Sequence, residues 1–244
     1  MEKHQSYADS FSIFLEHTNE KEVLREEVLQ EIKHVHAESV LDIGAGRGEL
    51  GKAIATEVKD YTAIESNALY VERLKKMNLR VVDGIFPNVD IENNFDFVLA
   101  SHVISYRSTE LQPFFEKAAS LIKKEGKFLL VTHRTGEVDD WTKLLALLGE
   151  SLERDYKNKF QDIVGILEQY GKVNIRMVPT TVETKNIQDM LAALSFVYAT
   201  GRQELLKNWE SALPTIREWI EKNYKTSQGF SFPFRHYFVT LDRA

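Results

Sequence analysis

Cysteine is absent from this chain of 244 residues. Its absence excludes disulfide bonds, zinc–thiolate sites and a cysteine nucleophile. A cysteine-free sequence without a recognisable secretory signal fits a reducing compartment, so we expect a cytoplasmic protein. No apolar run approaches the roughly 20 residues that a membrane-spanning helix needs. The sequence therefore predicts a protein that has no membrane partner.

An excess of positive charge is also missing, because 31 Lys and Arg residues face 37 Asp and Glu residues. Proteins that bind nucleic acids normally carry a basic stripe that neutralises phosphates. No such run occurs here, so we expect no nucleic-acid partner. Proline is scarce, with 5 residues, and the 43% of hydrophobic residues suffices for a large core. The composition predicts a folded globular protein, and we expect a monomer or a weak homodimer.

Hydrophobic periodicity predicts an α/β protein. The apolar residues Leu24, Val28 and Ile32 follow helical spacing, and Thr18 or Asn19 can cap that helix. From residue 39 onward, short and nearly continuous apolar runs alternate with helical stretches, which is typical of a parallel sheet covered on both faces. Strands are predicted at 39–43, 61–64, 79–82, 95–100, 127–132, 173–182 and 230–242. Helices after the first are predicted up to 58 and 77, and at 108–123, 141–148, 160–169, 187–199 and 203–223.

These elements predict a doubly wound, Rossmann-like α/β fold in a single domain spanning 1–244. Residues 1–38 form an N-terminal helical cap in this prediction. Residues 39–185 and 229–244 form the cofactor-binding core, and 186–228 form a helical insertion over the substrate pocket.

A glycine-rich turn follows the first predicted strand, in the sequence VLDIGAGRGEL from Val40 to Leu50. Glycines allow the backbone to approach a ligand without a clash of Cβ atoms. In an open α/β sheet, ligands bind at the carboxyl ends of the strands, where this turn lies. The turn is therefore the best candidate for a cofactor site.

Two cofactor classes compete for this turn. Residues 46–51 match G-x-G-x-x-G, the dinucleotide fingerprint, which leaves an NAD(P)-dependent oxidoreductase as an alternative. However, the first glycine of that match comes two residues after Gly44, and the carboxylate of Asp42 repels phosphate. S-adenosylmethionine has an ammonium group and a sulfonium cation but no phosphate, so Asp42 favours it.

Two further acidic residues end the next predicted strands. Glu65 comes about 20 residues after the turn, where a carboxylate can accept hydrogen bonds from ribose hydroxyls. Asp83 follows the third predicted strand and can reach an adenine amino group. Together with Asp42 and the glycines, these residues make a pattern that is stronger than any single member.

The pattern resembles the class I S-adenosylmethionine-dependent methyltransferases from about residue 39 to 132. The resemblance implies a seven-stranded sheet with an antiparallel last strand, S-adenosylmethionine as methyl donor and S-adenosylhomocysteine as product. A protein that binds the nucleoside without catalysis is a further alternative. The implied cofactor-binding residues are Asp42, Gly44, Ala45, Gly46, Gly48, Glu65, Ser66, Tyr70, Asp83, Gly84, Ser101 and His102.

The acceptor is expected to be a small molecule, most simply an amine. Residues 101–106 lack the Asn/Asp-Pro-Pro-aromatic motif of methyltransferases that act on base amino groups. No Asp, Glu or His residues show obvious metal-ligand spacing, so no metal is expected.

The stretch from Tyr7 to Glu20 resembles the opening of the histamine N-methyltransferase family. That resemblance implies that a glutamate and aromatic side chains hold the amine over the methyl donor. Phe234 stands where the family has a substrate-contacting asparagine, which argues against histamine itself. The implied substrate residues are Tyr7, Phe11, Phe14, Glu20, Tyr106, Trp141 and Phe234, with Glu20, His102 and Tyr106 as catalytic candidates.

Each of these residues also has a purely structural interpretation. Phe11 and Phe14 can belong to a helix core, and Glu20 can be a first-turn charge that favours the helix dipole. His102 can accept a proton from the nucleophile or make a structural hydrogen bond.

Overall fold

The structure is a computed structural model that describes residues 12–104, 111–133, 138–149, 154–199 and 206–243. Three predicted site residues, Tyr7, Phe11 and Tyr106, lie outside the described residues.

Helices and strands alternate along the chain from residue 20 to residue 83, and later elements of one kind also follow each other directly. Residues 12–17 are also helical. The helices are α1 (Glu20–His34), α2 (Glu49–Glu57), α3 (Ala68–Lys76), α4 (Leu111–Ser120), α5 (Asp140–Leu147), α6 (Arg154–Glu168), α7 (Ile187–Ala199) and α8 (Leu206–Asn223). The strands are β1 (Ser39–Ile43), β2 (Asp60–Glu65), β3 (Arg80–Asp83), β4 (Phe95–Ser101), β5 (Ile122–Thr132), β6 (Gly171–Thr184), β7 (Lys225–Thr226) and β8 (Gly229–Arg243).

The strands form one sheet in the order β3-β2-β1-β4-β5-β8-β6, and the short β7 pairs with β8. Strands β1 to β5 pair in parallel, and β8 runs antiparallel to β5. The order reverses between β1 and β4, and ligands of open α/β sheets bind at such a switch point. The predicted Rossmann-like fold is confirmed, including its antiparallel last strand.

Helix α1 forms for the reasons that its sequence suggests. Its apolar stripe, Leu24, Val28 and Ile32, is buried. The Thr18 hydroxyl accepts a hydrogen bond from the backbone N–H of Glu20 at 3.2 Å, which satisfies one of the free donors at the helix start.

The boundary between α4 and β5 differs from the prediction. The sequence predicts a helix over 108–123, but α4 ends at Ser120 and β5 already begins at Ile122, which pairs with Phe95. A bulge between Phe95 and Phe97 accommodates the early start. A short apolar pair such as Leu121 and Ile122 does not distinguish a helix end from a buried strand by periodicity.

The described residues fall into two compact units. The helical unit comprises those within Met1–Val23, Glu137–Glu153 and Pro179–Arg235. The sheet unit comprises those within Leu24–Gly136, Arg154–Val178 and His236–Ala244. Each unit has its own apolar core. The predicted division into a cap, a core and an insertion stays a prediction.

Within the described ranges, no helix combines the length and the apolar character that crossing a membrane requires.

Candidate cofactor site

The glycine turn that follows β1 is tied to the neighbouring strand β2. The backbone N–H groups of Gly44 and Ala45 both donate to the carbonyl oxygen of Ile64, at 2.8 and 3.2 Å. Gly44, Gly46 and Gly48 have φ angles of 74°, 57° and 85°. Glycine adopts this left-handed region without the steric cost that other residues meet. The backbone conformation therefore requires the alternating glycines that the sequence shows.

Two of these glycines are also required by close packing. A Cβ atom on Gly44 would lie 2.3 Å from Cγ1 of Val103, and one on Gly48 would lie 2.4 Å from Cδ2 of Leu74. A Cβ atom on Gly46 would find its nearest neighbour at 4.0 Å. Gly46 is thus constrained by its backbone angle and has open space beside it, which suits a position that a ligand approaches.

The carboxylate of Glu65 connects the turn to the end of β2. Its Oε2 accepts a hydrogen bond from the N–H of Gly46 at 2.7 Å. Its Oε1 accepts from the N–H groups of Ser66 and Asn67, both at 2.8 Å. Glu65 is only 8% exposed, so these charge-assisted bonds are shielded from water. Glu65 therefore fixes the position of Gly46.

Asp42 is buried beneath the turn. Its Oδ2 accepts a hydrogen bond from the hydroxyl of Tyr61 at 2.7 Å, and it is only 3% exposed. Burial raises the pKa of Asp42 from 3.8 to about 6; the negative charge of Glu65 adds to the rise and the Tyr61 bond opposes it. The hydroxyl of Tyr61 lies against Gly51 of α2, where a Cβ atom would approach it to 2.1 Å. Asp42 thus places a buried negative charge under the turn.

The other predicted cofactor residues lie on the same strand ends. Asp83 ends β3 in register with Glu65, and the N–H of Gly84 donates to the Glu65 carbonyl at 3.0 Å. Ser66 and Tyr70 are exposed, while Ala45 is half-buried within the turn. Carboxylates from three adjacent strands, Asp42, Glu65 and Asp83, therefore lie at one edge of the sheet.

The end of β4 carries a feature that the sequence analysis missed. His102 lies close to two other histidines, with ring centroids 4.2 Å from that of His133 and 5.3 Å from that of His236. Its Nε2 is 3.1 Å from Nδ1 of His236, and its Nδ1 is 3.3 Å from the hydroxyl oxygen of Ser101. The sequence shows no metal-ligand spacing because these histidines come from three strands far apart in the chain. Knowledge of the strand order and register would have been needed to predict that these histidines lie together.

The predicted substrate residues that the structure describes belong to the helical unit. Trp141 and Phe234 are in contact, with ring centroids 5.5 Å apart, and Phe14 packs on Phe196 at 5.6 Å. The side chain of Glu20 is only 13% exposed, and its Oε1 lies 3.7 Å from Nζ of Lys21. Burial raises the pKa of Glu20, although the charge of Lys21 opposes the rise. Glu20 is thus more than an exposed first-turn charge.

Comparison with known proteins agrees with this geometry. Residues 40–126, which run from β1 into β5 and include the glycine turn, match the family described as "Methyltransferase domain". The YbxB protein of Bacillus subtilis (strain 168), itself uncharacterized, is 27% identical over 105 residues, which cover 39% of this chain and 52% of YbxB. The match thus spans about half the length of that curated relative.

Solved structures share the fold at low sequence identity. The YcgJ protein from Bacillus subtilis matches with a TM-score of 0.60 and 16% identity, over 88% of this chain and 97% of YcgJ. The N-methyltransferase NodS from Bradyrhizobium japonicum WM9, solved with S-adenosylhomocysteine, matches with a TM-score of 0.51 and 9% identity, over 89% of this chain and 86% of NodS.

The domain match supports a methyltransferase domain with S-adenosylmethionine as its cofactor, and the solved structures support the fold. The resemblance to the histamine N-methyltransferase family is not shown by these comparisons and stays a prediction.

Replacing Gly44 with alanine will destabilise the turn more than replacing Gly46. Both variants force alanine into the left-handed region, at about 1–2 kcal/mol. Gly44→Ala also drives a Cβ atom into Val103, and such overpacking adds about 1–3 kcal/mol. Urea unfolding gives both free energies, and measuring Gly44→Ala in a Val103→Ala background removes the steric part alone. Equal losses for the two glycines would contradict the packing argument.

Replacing Asp42 with asparagine will change how stability depends on pH. The folded state of the native protein holds the Asp42 proton more tightly than the unfolded state, because its pKa is raised from 3.8 to about 6. Stability is therefore lost as the pH rises through that window, by roughly 3 kcal/mol. We expect Asp42→Asn to match the native free energy of unfolding near pH 4 and to exceed it at pH 7. A difference that is the same at both pH values would show that burial of this charge costs nothing.

Proposed function

We propose that this protein transfers the methyl group of S-adenosylmethionine to a small-molecule amine. The observation that carries the proposal is the turn of Gly44, Gly46 and Gly48, held by Glu65 at the switch point of the sheet. Small residues with open space at Gly46, beside a carboxylate at a strand end, suit a nucleoside with a ribose diol.

The charge of this edge supports a cationic nucleoside over a dinucleotide. Glu65 and Asp83 end the adjacent strands β2 and β3, and Asp42 lies one residue before the end of β1. Asp42 and Glu65 are near enough for the charge of Glu65 to raise the pKa of Asp42. A diphosphate would add two negative charges to this group, whereas a sulfonium and an ammonium group would offset it. Glu65 would accept from the ribose hydroxyls, and Asp83 would accept from the adenine amino group.

The acceptor side rests on Glu20 and on aromatic side chains of the helical unit. A carboxylate whose pKa is raised by burial is stabilised when a cation binds beside it, because an opposite charge favours its ionised form. The faces of Trp141 and Phe234 can attract an ammonium group. These features support a cationic amine as the bound form of the acceptor, with Phe14, Tyr7, Phe11 and Tyr106 as further proposed contacts.

Catalysis by this chain would consist mainly of alignment. When bound, S-adenosylmethionine supplies a methyl group that its sulfonium charge has already activated. Glu20 would bind the cationic amine, and orientation of the amine nitrogen toward the methyl carbon can supply roughly 7–11 kcal/mol. His102, or a water beside Glu20, would accept the proton that the amine must release before it attacks. The new bond joins nitrogen and carbon while the carbon–sulfur bond breaks.

The cofactor assignment is tested by calorimetric titration with S-adenosylmethionine, S-adenosylhomocysteine and NAD. We expect the first two to bind. Glu65→Gln will weaken them about 10–150-fold, because it removes a charged acceptor worth about 1.5–3 kcal/mol. The control Glu72→Gln changes an exposed glutamate of α3 and should have no effect. Binding of NAD without S-adenosylmethionine would favour the oxidoreductase.

The acceptor assignment is tested by transfer of a labelled methyl group to a panel of biogenic and imidazole amines. Glu20→Gln should lower kcat/KM for a cationic amine about 10–150-fold without changing cofactor affinity, because a charged hydrogen-bond partner is lost. Glu22→Gln is the matched control, since Glu22 is exposed in the same first turn of α1.

Two results of this assay would contradict the proposal. An unchanged rate for Glu20→Gln would remove Glu20 from the site. Cofactor binding without transfer to any amine would favour a different acceptor or a protein that only binds the nucleoside.

A further inference from the structure

We propose that three histidines bind a divalent transition-metal ion such as Zn²⁺. They are His102, His133 and His236, here called the three-histidine cluster. The inference concerns ion binding alone and does not depend on methyl transfer. All three residues belong to the sheet unit.

The sheet builds the cluster from three neighbouring strands. Strand β5 lies between β4 and β8. Ser101 pairs with Val131, and the N–H of His102 donates to the Val131 carbonyl at 2.9 Å, which extends that pairing by one residue. Thr132 pairs with Tyr237, so His133 and His236 follow and precede a paired position. The register of the sheet therefore sets the three histidines side by side.

The spacing of the ring nitrogens suits a common ion. One ligand nitrogen from each histidine lies within 4.8 Å of the other two. The shortest separation, between Nε2 of His102 and Nδ1 of His236, is 3.1 Å. Three nitrogens at about 2.0–2.1 Å from a tetrahedral ion lie about 3.4 Å apart. The nitrogen–nitrogen separations of the cluster, from 3.1 Å up to 4.8 Å, include that value. Small rotations of the exposed rings of His102 and His133 would complete the geometry.

The burial of His236 and the backbone conformation of His102 indicate that the surrounding structure holds the cluster in place. His236 is fully buried, and burying a polar ring is costly unless its nitrogens find partners. His102 has a φ angle of 55°, in the left-handed region that residues other than glycine seldom adopt. Such conformations persist where the surrounding structure holds them, and they concentrate at functional sites.

The ligand set selects the class of ion. Imidazole nitrogens suit Zn²⁺, Cu²⁺, Ni²⁺ and Fe²⁺, whereas Mg²⁺ and Ca²⁺ require oxygen ligands. The chain has no cysteine that could add a thiolate. Three protein ligands leave at least one position of a tetrahedral ion for water or another small ligand. The cluster adjoins the cofactor turn, because Val103 follows His102 and packs against Gly44.

The test is a titration of the purified full chain with Zn²⁺ alone, after removal of any affinity tag and treatment with a chelator. We expect one tightly bound equivalent. A parallel titration with Co²⁺ should give the visible absorption bands of a tetrahedral ion. His133→Gln should weaken Zn²⁺ binding by at least about 100-fold, because loss of even an outer contact costs 10–100-fold. The matched control, His34→Gln, changes an exposed histidine at the end of α1 and should bind as the native chain does.

A second variant, at the buried His236, is compared with the variant at the exposed His133, so that loss of a ligand can be distinguished from loss of the fold. His236→Gln should also abolish tight binding, and circular dichroism together with thermal unfolding will show whether the buried substitution leaves the sheet intact. His133 is exposed, so its variant is expected to fold normally. Equal Zn²⁺ affinity for the native chain and His133→Gln, or the absence of a stoichiometric site in the native chain, would overturn the proposal.

Discussion

The hydrogen bonds of the Glu65 carboxylate are the interaction on which the candidate site depends. One oxygen holds Gly46 of the turn after β1, and the other holds two backbone N–H groups at the start of the β2–α3 connection. Without that carboxylate, the turn would lose the bond that holds Gly46, while Gly44 and Ala45 would still donate to Ile64. The same group that shapes the turn is the one that would accept the ribose hydroxyls, so ligand binding and turn geometry are coupled through a single side chain.

The buried charge of Asp42 costs folding free energy, and this cost favours the proposal that a cationic ligand binds at the site. Burial disfavours its ionised form, and the nearby Glu65 disfavours it further. The Tyr61 hydroxyl offsets only part of that cost. A neutral side chain would fold more easily, which is the usual sign of a residue retained at the expense of stability for function. A cationic ligand bound above the turn would supply the missing compensation.

Much of this arrangement follows from local sequence, and the remainder does not. Local sequence predicts the glycine turn, the position of Glu65 and the burial of β1. It does so because glycines mark a turn with positive φ angles and a continuous apolar run marks a buried strand. The start of β5 at Ile122 depends on pairing with Phe95, which local periodicity does not encode. Likewise, His133 and His236 become neighbours only through the order and register of β4, β5 and β8. The burial of Glu20 also arises from tertiary packing, which its position in a first helical turn does not reveal.

The two roles considered for His102 exclude each other at any one nitrogen. A nitrogen that coordinates a metal ion has committed its lone pair, so it cannot accept a proton from an amine. Its Nε2 faces His236 and its Nδ1 lies near Ser101, so the ring is already oriented by contacts on both sides. If the ion occupies the cluster, the proton that the proposed amine acceptor releases would have to pass to water. An ion lowers the pKa of bound water, so a hydroxide held there would be the available base in place of the imidazole.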